Sequence, residues 1–96
     1  GKGRWVHGAH DDREVSKRFN EGDILLTRMT DPRMIDEMIL SAGMATMIGG
    51  QTCHAAIVAR ELGKPCVIGA GDIVKAFVGI NTVIDANNGR IYATGS

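Results

Sequence analysis

Ninety-six residues, 44% of them hydrophobic, make one compact domain and no more. Eleven basic residues offset eleven acidic ones, which argues against a general binder of nucleic acid or of an anionic membrane. No apolar run approaches a membrane span, no secretory pattern is present, and two cysteines without zinc spacing, Cys53 and Cys66, fit a reduced, cytoplasmic protein.

In chain order, residues 3–7 read as a short strand and residues 10–21 as a polar loop or edge. The run 22–30 opens on a Gly-Asp turn and holds Ile24 to Leu26, a buried strand. Thr30, Asp31 and Pro32 predict a helix start, with a capping-type side chain ahead of proline. Met34, Ile35, Met38 and Ile39 recur at helix spacing, and Gly43 is the expected stop. Residues 44–48 predict a strand, and Gly49-Gly50 a turn. Ala55, Ala56, Ala59, Arg60, Glu61 and Leu62 are strong helix formers, terminated by Gly63 and Pro65. A short strand follows at 66–69 and a short helix or turn at 73–77. A hairpin closes the chain around Ala86, Asn87, Asn88 and Gly89, with an Asn-Gly turn. The alternation predicts an α/β domain of layered type, too short for a doubly wound dinucleotide fold. The stretch 69–72 also lacks the third glycine of the dinucleotide fingerprint.

The chemistry concentrates at 49–54. A strand, two glycines and a helix start make an anion-friendly corner: the first helical N–H groups have no internal partner, and the helix dipole adds positive charge. Gly49 and Gly50 let backbone approach an oxyanion closely. Thr52 or Cys53 falls at the cap, and Thr52 is the better cap chemically. His54 sits in the first turn, where the positive helix end disfavours imidazolium and keeps the ring neutral and nucleophilic. A histidine there is also commonly a plain polar surface residue. No Ser-His-Asp set is visible. A metal site has only His7, His10 and Asp11 as compositional candidates, and none is predicted. On the helical wheel Ala55, Val58, Ala59 and Leu62 share the core face, while His54, Ile57 and Glu61 share the other. Ile57 thus reads either as an exposed apolar residue that suits docking or as one covered within the domain. Arg60, roughly 9 Å along the axis from His54, reads as surface or structural.

The stretch GGQTCHAAIVARELGKPCVIGAG, residues 49–71, resembles the phosphohistidine signature of the PEP-utilising enzymes. These include phosphoenolpyruvate synthase, pyruvate phosphate dikinase and Enzyme I of the sugar phosphotransferase system. Residues 22–47 and 80–93 are similar to the family's upstream strand–helix–strand and its closing hairpin. The resemblance implies a compact, swivelling β/β/α phosphohistidine domain with short strands, two main helices and a C-terminal hairpin. It makes residues 1–96 a single carrier domain excised from a larger multidomain enzyme. It implies that His54 is the residue phosphorylated, within a phosphate-binding corner of Gly49, Gly50, Thr52 and Cys53. An ATP-grasp domain would load it from the β-phosphoryl of ATP, and a TIM-barrel domain would pass the group to pyruvate. ATP and Mg2+ are expected in the partner domain and no cofactor in this one. Thr52 matches the position that a regulatory kinase-phosphorylase modifies, where added charge opposes loading. Thr52-Cys53-His54 favours the synthase and Ala55-Ala56 disfavours Enzyme I. The run 63–67 is closer to some dikinases. The carrier domain of a rifampicin phosphotransferase, or a stand-alone phosphocarrier or binding module, fits the same histidine. One departure is Met47-Ile48, where the family usually carries an acidic residue.

Overall fold

The computed structural model describes residues 1–5, 19–30, 32–50 and 53–94. His7, His10, Asp11, Asp31 and Thr52, and the predicted polar segment up to residue 18, lie outside the described residues.

Four parallel strands form one sheet in chain order: β1 (Gly3–Trp5), β2 (Ile24–Thr27), β3 (Gly43–Thr46) and β4 (Cys66–Val67). Two antiparallel strands, β5 (Thr82–Asp85) and β6 (Arg90–Ala93), make a separate hairpin. Helices α1 (Ile35–Leu40) and α2 (His54–Leu62) lie between strands of the sheet, and a 3₁₀ helix spans Gly71–Phe77.

The strand sequences explain the layering. Side chains alternate across a strand, so a run that is apolar at every position is buried on both faces. In β2, Leu25 joins Phe19, Met34, Met38, Met44 and Ala59 beneath the helices. Ile24 and Leu26 point the other way, to Ala45, Val67, Val74 and Ile84 beneath the 3₁₀ helix and the hairpin. Helices, parallel sheet and hairpin are therefore three layers with two cores, the β/β/α arrangement. Leu25, Leu26, Met38 and Met44 are fully buried, and each such burial contributes roughly 1.5–3 kcal/mol.

Several local expectations shift. The helix start at Pro32 is a 3₁₀ turn, Pro32–Met34, and α1 proper begins at Ile35 with no side-chain cap. Only Met34 and Met38 of the apolar repeat are buried, while Ile35 and Ile39 are exposed. A helix of six residues lays one narrow stripe on the sheet. Gly43 does not stop the helix. Ser41 does, in extended conformation, with its N–H on the Glu37 carbonyl at 2.9 Å and its hydroxyl on the Met38 carbonyl at 2.8 Å. The Lys64 ammonium also donates to the carbonyls of Ile39 and Ser41. Gly43 instead opens β3, where a Cβ would lie 3.0 Å from Ile84 and 3.1 Å from Pro65.

The predicted strand at 44–48 is β3 at 43–46, and the one at 66–69 shrinks to two residues. Beyond Val67 the chain turns over the end of β3: the Ala70 N–H bonds the Thr46 carbonyl at 2.9 Å. The hairpin turns through the predicted residues 86–89, and Asp85 organises the loop. Its carboxylate accepts bonds from the N–H groups of Asn87 and Asn88 and from the Asn88 amide. Those bonds, the Asn88 side-chain amide first, hold its carboxyl below the usual range.

Candidate functional site

The site forms at the carboxyl ends of β2 and β3, where ligand crevices of open α/β sheets form. Thr27 and Thr46 end the two strands in register and are buried. Each hydroxyl bonds the carbonyl two residues on, Thr27 to Met29 at 3.1 Å and Thr46 to Ile48 at 2.8 Å. Two main-chain bonds tie the loops together, from the N–H of Met47 to the Thr27 carbonyl and from the N–H of Ile48 to the Arg28 carbonyl. The loops leaving β2 and β3 are thereby fixed side by side.

His54 enters at the first position of α2, and the loop after β2 brings Thr30 to it. The Thr30 hydroxyl and His54 Nδ1 are 2.9 Å apart, and Thr30 is buried. A neutral imidazole carries one N–H. With that proton on Nδ1, donated to Thr30 Oγ1, the Nε2 lone pair is free for attack on an electrophile. Thr30 therefore serves His54, although its sequence position reads as a helix cap.

The cap of α2 is Cys53, in extended backbone, and its side chain makes no cap bond. The first intrahelical bond runs from the Ile57 N–H to the Cys53 carbonyl. The N–H groups of His54, Ala55 and Ala56 precede it, an electropositive start. At the other end Gly63, with φ +69°, closes the helix: its N–H meets the Arg60 carbonyl and that of Lys64 the Ala59 carbonyl. Ala55 and Ala59 are buried and Glu61 is exposed, as the wheel predicts; Ile57, which the sequence leaves open, is exposed, and so is Arg60.

Gly49, Cys53 and His54 line one pocket with Met29, Thr30, Thr46, Ile48 and Ala55. Its volume of about 60 Å³ suits a few waters and falls well short of a nucleotide site. Gly49 has φ +136°, and a Cβ there would lie 2.8 Å from Ile68 Cγ2 and 3.2 Å from Cys53 Sγ. Its lack of a side chain is what lets the loop close over Cys53. Gly50 is exposed and outside the lining, and its carbonyl accepts the Cys53 N–H at 3.0 Å. Both cysteines are free thiols, and burial, then the neighbouring Cys53, push Cys66 up to about 12. Among the described residues no three His, Cys, Asp or Glu side chains gather into a metal-holding group, and no helix is long and apolar enough to cross a membrane.

Thr30 and Thr46 are the site residues that sequence reasoning misses. They lie 24 and 8 positions from His54, and no local pattern links them. Only the parallel pairing of β2 with β3 brings their loops together.

Comparisons with known proteins converge. Residues 19–89 match the family described as PEP-utilising enzyme, mobile domain. Phosphoenolpyruvate synthase of Aeropyrum pernix is 44% identical over 81 residues, 83% of this chain and 10% of that protein. Phosphoenolpyruvate synthase of Escherichia coli is 42% identical over 88 residues, 88% of this chain and 11% of that protein. The chain thus spans about a tenth of the length of these relatives. Among solved structures, the solution structure of Enzyme I (nEIt) superposes with a TM-score of 0.68 at 27% identity, covering 82% of this chain and 33% of that one.

Proposed function

The chain belongs to the PEP-utilising enzyme mobile-domain family, and on that premise we propose that it is a phosphoryl carrier in which His54 Nε2 takes and gives up the phosphoryl group. The observation that carries the reading is the contact between Thr30 Oγ1 and His54 Nδ1 at 2.9 Å. It holds one ring nitrogen and leaves the other as nucleophile.

In loading, the Nε2 lone pair attacks the β-phosphorus of ATP. The N–P bond forms as the bond from Pβ to the oxygen bridging it to Pα breaks, and AMP leaves with the electron pair; water then takes the γ-phosphoryl off the pyrophosphorylated ring as inorganic phosphate, leaving one phosphoryl group on Nε2. Positive charge arriving on the ring is shared through Nδ1–H and Thr30. In unloading, the enolate oxygen of pyruvate attacks phosphorus, the N–P bond breaks and its electron pair returns to Nε2. The products are phosphoenolpyruvate and the free imidazole. Phosphoryl transfer asks little covalent chemistry of the protein beyond positioning and charge stabilisation, and the fixed loops of the site supply the positioning.

A pocket of about 60 Å³ holds neither nucleotide nor the machinery for pyruvate. Both belong to other parts of a larger enzyme, an ATP-grasp domain with ATP and Mg2+ and a barrel domain. The synthase is favoured among family members because relatives bearing that name match over most of the chain. The test supplies the nucleotide-binding domain and ATP and measures acid-labile, base-stable phosphate on this chain. The wild type is expected to label and His54→Ala to stay blank; equal labelling of the variant contradicts the proposal.

A further inference from the structure

The tip of the hairpin carries chemistry of its own. Asn88 is followed by Gly89; both are exposed, and neither lines the His54 pocket. In an Asn-Gly pair no Cβ on the second residue hinders the approach of its nitrogen to the asparagine side chain. Gly89 has φ +64°, and among the described residues no group accepts a hydrogen bond from its N–H.

The asparagine, in contrast, is tied down. Asn88 Nδ2 donates to Asp85 Oδ2 at 2.8 Å, and the Asn88 N–H donates to Asp85 Oδ1 at 3.2 Å. The Asn87 N–H donates to the same Oδ1 at 3.1 Å, and the Tyr92 hydroxyl to Oδ2 at 3.3 Å. The Asn88 amide first, then the other donors, hold the Asp85 carboxyl below its usual range. The acceptor is therefore a carboxylate at neutral pH, and a charged acceptor makes the stronger bond.

We propose that Asn88 is a site of spontaneous deamidation and that the Asp85 carboxylate is its brake. The Gly89 nitrogen loses its proton to solvent base and attacks Asn88 Cγ. A new C–N bond forms, the Cγ–Nδ2 bond breaks, and Nδ2 leaves as ammonia after taking a proton from water. Water then opens the cyclic imide at either carbonyl, leaving aspartate or isoaspartate at position 88. Asp85 opposes this in two ways. Its bond fixes the amide and holds the group that must leave. Its charge disfavours both the ionised Gly89 nitrogen and the oxyanion that builds up at Cγ.

The product undoes the loop. A carboxylate at position 88 donates nothing to Asp85 and repels it. Isoaspartate lengthens the main chain between Asp85 and Arg90, the last pair of the hairpin. Ile84 and Ile91 of that hairpin pack in the second core, so conversion at position 88 loosens this layer.

The test ages the full-length protein that carries this chain at mildly alkaline pH. Peptide mapping that separates asparagine, aspartate and isoaspartate follows position 88. The urea-unfolded wild type, which has no brake, is expected to convert fastest. The folded wild type is expected to convert roughly five- to tenfold more slowly, the scale of one exposed hydrogen bond to a charged group. Asp85→Ala removes both oxygens. Asp85→Ser keeps one for the loop N–H groups and loses the one that holds the amide. Both variants are expected to recover most of the unfolded rate. Either variant converting no faster than the folded wild type overturns the brake, as does a folded wild type that converts as fast as the unfolded chain. An unfolded chain in which position 88 stays asparagine overturns the site itself.

Discussion

Thr30 holds one nitrogen of His54, and the proposed chemistry falls to the other. Its hydroxyl is buried and meets Nδ1 at 2.9 Å, so Nε2 is the free nitrogen. Thr30→Val removes the partner while keeping the shape. A hydrogen bond of this kind contributes about 1 kcal/mol net, so phosphorylation of His54 is expected to slow roughly five- to tenfold, with Thr30→Ser near wild type. Rates from phosphohistidine formation check this, and equal rates for wild type and Thr30→Val contradict it. Cys66 offers a second residue-scale test. Its folded value is about 12 against an ordinary 9.0. The unfolded thiol thus ionises first, and stability falls as pH rises from about 9 towards 12. Denaturant midpoints across that range are expected to fall less steeply in Cys66→Ala than in the wild type. Near pH ~8 Cys66 holds little thiolate, so mass-mapped alkylation is expected to spare it until the chain unfolds. His54 was legible in the sequence because its signal is local: glycines before it and helix formers after it. Thr30 was not, because its role is made by the pairing of two strands, and its position before Pro32 points to a helix cap.

At the scale of elements, α2 follows its sequence closely. Its apolar face, its exposed face and its Gly63 stop are all set by residues within one helix length. Helix α1 and the strand ends follow less closely, because tertiary contacts set them. Ser41 and the Lys64 ammonium end α1, and Thr46 turns the chain after β4 by accepting from Ala70. The turn between β3 and α2 depends on Gly49. Gly49→Ala forces a side chain into left-handed backbone and towards Ile68 and Cys53. The expected cost is about 1–3 kcal/mol, together with a displaced His54. Thermal unfolding checks the first and the rate of phosphohistidine formation the second. An unchanged melting temperature contradicts this account of the turn.

At the scale of the whole molecule, the described residues form three thin layers around two cores. Ile24, Leu25 and Leu26 alternate between the two cores, while the layered class was readable from the order of strands and helices along the chain. These layers hold His54 beside the paired loops that follow β2 and β3. The central claim is that Nε2 of His54 bears the phosphoryl group while Nδ1 stays with Thr30. The most direct measurement is the imidazole 1H–15N correlation spectrum of the phosphorylated chain, with His54→Ala as control. The account predicts a single phosphohistidine, with phosphorus coupled to Nε2 of His54 and the proton retained on Nδ1. Phosphorus on Nδ1, or label of equal intensity in His54→Ala, would contradict it.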